Sequence, residues 1–213
     1  MRKTVFILLL ITSPIWIIGI SARIVFNDWF IEFEYSKKDF PKDRYGLDND
    51  YRKYLAKIGL KAVLSKEGLK KFEETKFPNG RKAFRDKEVK HMADVNKLLS
   101  FIFPLSYTLF FFWIIGVFYL EEYRKKLLIG SGLITVFLIL ISGIFTFTNY
   151  NKAFELFHNY VFDTTSWKFK SYDTLLRIYP MKFWFDGTVA VVVISFILSL
   201  TLITTGAVYR KNA

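Results

Sequence analysis

The chain alternates between long stretches without charge and stretches rich in charge. Four stretches of 19 to 25 residues contain no Asp, Glu, Lys or Arg, and they cover residues 4–22, 98–120, 127–151 and 187–209. At about 1.5 Å of rise per residue, each forms a helix of roughly 28 to 38 Å, long enough to cross the hydrocarbon core of a bilayer. The pattern therefore predicts four transmembrane helices.

The first uncharged stretch also fits a cleaved signal peptide, because Arg2 and Lys3 precede an apolar run. However, Trp16 and the two isoleucines after it extend this run, and no A-x-A cleavage site follows. We therefore interpret residues 4–22 as a membrane span. Cleavage would instead leave three spans, with the N-terminus outside.

Basic residues flank the predicted spans on one side. They precede the first span, fill the short link between the second and third, and follow the fourth: Arg2, Lys3, Arg124, Lys125, Lys126, Arg210 and Lys211. By the positive-inside rule these places are cytoplasmic. Both termini are then inside, and the segments 23–97 and 152–186 lie together on the outer side of the membrane.

Residues 23–97 predict a small α+β extracytoplasmic domain between the first and second spans. Residues 29–35 alternate, with Trp29, Ile31, Phe33 and Tyr35 on one face, as in a half-exposed strand. Helices follow, one capped by Asp48 and a shorter one capped by Ser65. The lysines at 57–71 fit either a solvated helix face or a surface that attracts anionic lipid headgroups.

Two further helices are predicted next to the membrane. One begins near Asp86 and continues without a break signal into the second span, and the other covers residues 149–162. The expected fold is thus mostly α. Small residues in the third span indicate either a lipid groove or close helix packing: Gly130, Ser131, Gly132, Ser142 and Gly143.

The two histidines of the chain, His91 and His158, lie at similar distances from the tight hairpin at residues 121–126. If the helices on either side are continuous, the two rings differ in height by about 3 Å. Both lie about 10 Å beyond the uncharged stretches, near headgroup depth. Such a pair is suited to proton transfer at a lipid ester, although each histidine also fits an ordinary interfacial role. Asp94 lies one turn from His91, and a metal site formed by these three residues is a weaker alternative.

Composition and missing motifs exclude several other functions. The chain has no cysteine, so it carries no thiol nucleophile or disulfide of its own. It contains no G-x-S-x-G, Walker or G-x-G-x-x-G sequence. Its 31 basic residues exceed 19 acidic ones, but the excess faces outward, which argues against a nucleic-acid partner. No cofactor is therefore expected.

Two segments resemble the lipoprotein intramolecular transacylases. The first is R-D-K-E-V-K-H-M-A-D-V-N-K at residues 85–97. The second combines F-H at 157–158 with downstream residues, which are Trp167, Asp173, Leu175, Pro180, Phe183 and Trp184. The plan of four spans with a histidine in each outer segment is also similar. The chain departs from the family pattern at Thr164, Thr165 and Met181, so no catalytic amide or carboxylate is assigned there.

The resemblance implies an acyltransferase that acts on diacylated bacterial lipoproteins among membrane lipids. Such an enzyme moves the sn-2 acyl chain of the glycerol to the α-amino group of the N-terminal cysteine, giving a lyso-form lipoprotein. We predict His158 as the proton shuttle and His91 as the second acid–base group or oxyanion donor. The supporting residues are Asp94 to orient His91, Trp167 to anchor or donate its N–H, and Asp173 to hold the substrate ammonium or a histidine.

A second hypothesis remains open at this point. A four-span envelope protein without enzymatic activity, whose outer domain binds a protein partner, has the same pattern of spans. The sequence sets neither the oligomeric state nor the set of lipoprotein substrates.

Overall fold

The computed structural model describes residues 1–162 and 166–209, which are mostly helical. In chain order the helices are α1 (Arg2–Val25), α2 (Asp28–Ser36), α3 (Asn49–Leu64), α4 (Lys66–Glu74), α5 (Asp86–Tyr119), α6 (Arg124–Thr148), α7 (Tyr150–Val161), α8 (Thr174–Ile178) and α9 (Met181–Val208). Four of them, α1, α5, α6 and α9, are long and apolar enough to cross a membrane. The predicted mostly α fold with four such helices is confirmed.

The predicted α+β character of the segment between α1 and α5 is wrong. Residues 29–35 belong to helix α2, and in the described part of the chain the only β pairing is an isolated bridge between Lys76 and Lys82. The buried residues of α2 are Phe30, Ile31, Glu34 and Tyr35, which is the spacing of a helix face. Phe30 lies on the other side of the predicted strand from Ile31 and Tyr35, yet it is also apolar and buried. The alternation was therefore incomplete, and it did not indicate a strand.

The two predicted helix caps and the predicted start of α5 are confirmed. Asp48 caps α3 by accepting hydrogen bonds from the backbone N–H groups of Asp50 and Tyr51, and Ser65 caps α4 by accepting one from Gly68. These caps satisfy N–H groups that have no partner inside the helix. Helix α5 begins at Asp86 and continues without interruption through the uncharged stretch. Thr164, Thr165, Arg210 and Lys211 lie outside the described residues.

The helix after the 121–126 hairpin is not continuous, so the condition set for comparing the heights of the two histidines is not met. Helix α6 ends at Thr148 and α7 begins at Tyr150. Asn149 separates them with φ −151° and ψ 79°, and its side chain accepts a hydrogen bond from the Lys152 N–H. Asn149 therefore starts a new helix, and its backbone angles break the preceding one.

The chain divides into two compact units. The first comprises residues 1–24, 102–148 and the chain from Val189 onward, and the second comprises 25–101 and 149–188. In the first unit, Trp16 and Trp113 pack with Ile17, Leu127 and Leu128. The Trp113 indole N–H donates to Ser131 Oγ at 2.9 Å, so the buried donor is satisfied.

Close packing explains the small residues at the start of α6. A Cβ placed on Gly132 would lie 2.5 Å from the Ser199 carbonyl oxygen of α9, and one on Gly130 would lie 2.8 Å from Leu10 of α1. Ser131 is buried between them. Of the two alternatives from the sequence, helix packing therefore holds for residues 130–132.

The second unit is fastened around α3 and α8. The guanidinium of Arg52 in α3 donates to the carbonyl oxygens of Arg177 and Pro41, each with a contact at 2.9 Å. The Tyr179 hydroxyl donates to Ala56 O at 2.5 Å, and the Tyr35 hydroxyl donates to Ile178 O at 2.7 Å. These buried bonds fix the end of α8 against α2 and α3.

Candidate active site

The start of α5 is held by a buried carboxylate. Glu88 accepts a hydrogen bond from the Arg85 backbone N–H at 2.8 Å, which is the returning half of a capping box. Its other oxygen accepts from the Leu175 N–H of α8 at 2.6 Å. Glu88 thus fixes both the first turn of α5 and the position of α8. His91 follows one turn later, on the same helix.

The two histidines converge. The ring centroids of His91 on α5 and His158 on α7 are 5.9 Å apart, and the ring planes are inclined by 31°. Their exposed fractions are 8% and 9%, respectively. The two imidazoles are therefore close enough for one bound substrate to contact both of them. The co-location expected from the hairpin spacing is confirmed, although α7 is separated from α6.

The backbone of its own helix orients His158. Its Nδ1 lies 2.8 Å from the carbonyl oxygen of Phe154. A carbonyl oxygen only accepts hydrogen bonds, so Nδ1 carries the proton and donates it. In the neutral ring the lone pair is therefore on Nε2.

Burial also favours the neutral form of His158. Desolvation lowers the pKa of its imidazole from the ordinary value, and the hydrogen bond to the Phe154 carbonyl offsets this only in part. A neutral imidazole with its lone pair on Nε2 is the form that accepts a proton at that nitrogen. The local structure thus prepares His158 as a base at neutral pH.

Aromatic side chains enclose both rings. Phe154 lies 4.0 Å from His158 and Trp167 lies 5.0 Å from it, measured between ring centroids. Phe162 packs against both histidines, 5.1 Å from His91 and 5.4 Å from His158. Phe169 covers His91 at 5.4 Å. These walls exclude water from the imidazoles, which strengthens electrostatic interactions inside the site.

Three buried polar atoms of this region have no hydrogen-bond partner within the described residues. They are His91 Nδ1, Asp94 Oδ2 and Trp167 Nε1. Buried polar atoms are nearly always paired, so a group of orphans beside one residue pair marks a place for a ligand's polar atoms. His91 Nδ1 and Asp94 Oδ2 are both unpaired, and the expected orientation of His91 by Asp94 is therefore not made through these two atoms.

Asp173 lies at the N-terminus of α8 and is already paired. One carboxylate oxygen accepts from the Arg85 guanidinium at 2.8 Å, and the other accepts from the Lys170 N–H at 2.8 Å. The next residue, Thr174, donates its hydroxyl to Ala83 O at 2.6 Å. In this structure Asp173 binds neither histidine. It fastens the segment 166–173, which carries Trp167 and Phe169, to the start of α5.

Two lysines, Lys87 and Lys168, contact this segment. Lys87 Nζ donates to the Lys168 carbonyl oxygen and lies 5.6 Å from the centroid of the Phe169 ring. Lys168 Nζ lies 5.4 Å from the Trp167 ring and 3.7 Å from a Glu155 carboxylate oxygen. The lysines thus reinforce the aromatic wall from its solvent side.

The sequence did not reveal the wall residues Phe154, Phe162 and Phe169 or the fastening residues Arg85 and Glu88. With 24 phenylalanines in the chain, composition alone does not distinguish a wall residue from a lipid-facing one. Phe154 had a usable signal, because it lies four residues before His158 on the same helix face. The described residues contain no group of three or more His, Asp or Glu side chains positioned to hold a metal ion.

The chain is similar to proteins of one family. The family described as "Lipoprotein intramolecular transacylase Lit" matches residues 7–184. An uncharacterized protein of Aquifex aeolicus (strain VF5) is 52% identical over 211 residues, which is 99% of this chain and 97% of that protein.

Solved structures of the lipoprotein intramolecular transacylase Lit from Bacillus cereus share the fold. One has a TM-score of 0.74 and 17% sequence identity, and covers 96% of this chain and 93% of the other. A variant of that protein, in which one histidine is replaced by arginine, has a TM-score of 0.65 and 18% identity, with 97% and 91% covered.

Proposed function

Because the chain belongs to the lipoprotein intramolecular transacylase family and is an acyltransferase, we propose that it converts diacylglyceryl lipoproteins to their lyso form. It moves the sn-2 acyl chain of the glycerol to the α-amino group of the N-terminal cysteine. The observation that carries the residue assignment is the buried pair His91 and His158, with ring centroids 5.9 Å apart. Family membership also favours this enzyme over the non-enzymatic envelope protein.

The reaction is an exchange within one molecule. The amine nitrogen attacks the ester carbonyl carbon, a C–N bond forms, and the bond from that carbon to the glycerol oxygen breaks. The amine loses a proton and the glycerol oxygen gains one, so neither water nor a second substrate is consumed. The tetrahedral intermediate is an eight-membered ring formed by N, Cα, Cβ, S, two glycerol carbons, the ester oxygen and the carbonyl carbon. Folding the substrate into this ring is mainly a problem of proximity.

His158 is the proton shuttle. Its Nδ1–H is engaged with the Phe154 carbonyl, so Nε2 is the atom that takes the proton from the amine. The same nitrogen then returns the proton to the departing glycerol oxygen. Its lowered pKa keeps the ring neutral before the reaction. His91 is the second acid–base group.

The Trp167 Nε1–H, which has no hydrogen-bond partner among the described residues, supports a further role in this scheme. It is a buried donor on a ring whose centroid is 5.0 Å from that of His158. The tetrahedral intermediate carries negative charge on the former carbonyl oxygen, and such charge is stabilised by a preorganised donor. Trp167 donates to this oxygen. Asp173, paired with Arg85, positions the segment that carries Trp167.

The chain crosses a bacterial plasma membrane with both termini in the cytoplasm. Arg2, Lys3 and the basic link at 124–126 support this orientation. The unit that carries the two histidines then faces outward, and the reaction takes place at the outer leaflet among membrane lipids.

A lipopeptide assay tests the proposal. The purified protein is mixed with a synthetic diacylglyceryl peptide, and the product is fragmented in a mass spectrometer. The mass of the peptide stays constant, while one acyl group moves from oxygen to the N-terminal nitrogen in the fragment spectrum. Release of free fatty acid without N-acylation would identify a lipase and refute the transfer.

A further inference from the structure

Helix α7 presents an exposed apolar face beside the site. Leu156, Phe157, Tyr160 and Val161 have exposed fractions between 40% and 83%. Their spacing of one, three and one residues puts them on one side of the helix. The buried residue of α7 is His158, and the exposed polar residues on another side are Asn151, Lys152, Glu155 and Asn159. Helix α7 thus has three sides. One side faces inward and carries His158, the second is exposed and apolar, and the third is exposed and polar.

The position of α7 in the chain indicates what covers this apolar face. Only Asn149 separates the first residue of α7 from the last residue of α6, which is a helix of membrane-spanning length. The last two turns of α6 are themselves exposed and apolar, at Ile144, Phe145 and Phe147. Covalent geometry therefore holds the start of α7 at the end of a span, where the hydrocarbon meets the headgroups.

The residue types fit this interface. Tyrosine and other aromatic residues are enriched at headgroup level, where an apolar ring and a polar tip are both satisfied. A helix with one apolar side and one polar, partly basic side lies in the interface plane. We infer that the face formed by Leu156, Phe157, Tyr160 and Val161 binds the phospholipids of the leaflet in which α6 ends.

This inference deepens the proposed function, on which its consequence rests. With the apolar face in lipid, His158 on the neighbouring side lies at the boundary between headgroups and acyl chains. The glycerol ester of a membrane-bound lipoprotein lies at this same depth. The enzyme therefore brings its base to the ester, and the acyl chains need not leave the bilayer.

Site-directed spin labelling tests the depth of α7 directly. The chain contains no cysteine, so single cysteines are introduced without altering a native thiol. Leu156→Cys and Tyr160→Cys report on the apolar face, and Asn151→Cys and Asn159→Cys are matched controls on the polar face. Lys71→Cys on α4 provides a reference exposed to water. Each labelled protein is reconstituted in vesicles of phosphatidylethanolamine and phosphatidylglycerol.

Collisions with oxygen, which partitions into the bilayer, are compared with collisions with a water-soluble nickel chelate. We expect labels at 156 and 160 to collide mainly with oxygen, and labels at 71, 151 and 159 to collide mainly with nickel. Equal nickel access at 156, 159 and 160 would place the face in water and overturn the inference. Protection of 156 and 160 from both reagents would show that protein covers the face, and would overturn it as well.

A second measurement connects depth to turnover. Tyr160→Asp places a charge on the apolar face, whereas Asn159→Asp places the same charge on the polar face one residue away. We expect a loss of transfer in vesicles for the first variant and unchanged transfer for the second. Equal transfer by both variants would contradict the consequence for catalysis. The collision data do not depend on transfer activity, so they remain interpretable if the proposed function fails.

Discussion

Two isosteric replacements of His158 separate the tasks of its two ring nitrogens. In His158→Asn the amide nitrogen stands near the place of Nδ1 and is able to donate to the Phe154 carbonyl oxygen, which lies 2.8 Å from Nδ1 in the native protein. In His158→Gln the amide group reaches the place of Nε2. Neither amide accepts a proton near neutral pH, so both variants lose the shuttle.

The expected loss of transfer exceeds the expected loss of stability. A positioned general acid–base group contributes about 10² to 10⁴ in rate, or roughly 3 to 5 kcal/mol of the activation barrier. Each variant also loses aromatic contacts with Phe154 and Trp167, which are worth about 1 kcal/mol per pair. His158→Asn keeps the neutral hydrogen bond, worth about 1 kcal/mol, and is the more stable of the two.

The assay measures the rate at which the N-acylated lyso peptide forms from a diacylglyceryl peptide, read from fragment spectra. Thermal unfolding in the same detergent or lipid shows that each variant is folded. We expect both variants to transfer at least 10² times more slowly than the native protein. Turnover within a few-fold of the native rate in either variant would refute the assignment of His158 as the shuttle.

Three further predictions concern the pKa of His158, the donor Trp167 and the ion pair of Asp43. Burial lowers the pKa of His158, so its NMR titration should have a midpoint below the ordinary value of about 6.5. The contribution of His158 to the free energy of unfolding is present above pH 6.5 and is lost as the pH falls through the pKa of the folded protein. A titration midpoint above 6.5 would contradict the burial argument. Trp167→Phe keeps an aromatic ring but removes the N–H donor. We expect kcat to fall about 10²-fold with little change in KM. An unchanged kcat would exclude Trp167 as the donor to the oxyanion. Burial opposes ionisation of Asp43, but hydrogen bonds from Arg177, Leu47 and Tyr45 outweigh it and lower the pKa of the carboxyl to about 2. Asp43→Asn should therefore lower the free energy of unfolding by about 2 kcal/mol at neutral pH, a difference that disappears as the pH falls from 3.8 towards 2, as followed by thermal unfolding.

The spans were predictable because their signal is long and simple. A stretch of some twenty residues without charge has few structural alternatives, and each of the four gives a helix long and apolar enough to cross a membrane. The meeting of His91 and His158 was expected from the hairpin spacing only on the condition that both helices are continuous. The break at Asn149 removes that condition, so the hairpin count alone does not explain why the two rings meet.

Shorter signals were less reliable. Seven residues at 29–35 have apolar side chains at a spacing of two, yet Phe30 and Glu34 are buried as part of a helix face. The burial of Glu34 depends on Lys37, whose ammonium lies 2.6 Å from its carboxylate. The break at Asn149 had a readable signal, since an Asn that caps the following helix satisfies that helix's free N–H groups.

The aromatic walls and the buried carboxylate of Glu88 required the structure. Phe169 meets His91 because Asp173 and Glu88 fasten the intervening segment to α5 through long-range bonds. Such bonds join residues nearly ninety positions apart, and the hydrophobic pattern along the chain contains no information about them. The hydrophobic pattern locates the helices. The hydrogen bonds of Glu88 and Asp173 determine that segment 166–173 covers the histidines.

The partner that holds the imidazole of His158 is a neutral backbone carbonyl of its own helix. Many enzymes buttress a histidine with a carboxylate, which makes the ring a stronger base but leaves a permanent anion close to the reaction. In the proposed reaction, the charge that develops on the carbonyl oxygen of the substrate meets no such repulsion from the group that orients the His158 ring. His158 is therefore a weaker base than a histidine paired with a carboxylate. In return, no fixed negative charge on its partner opposes an anionic intermediate in this buried site. An amine nucleophile, already partly deprotonated near neutral pH, is suited to a base of this modest strength.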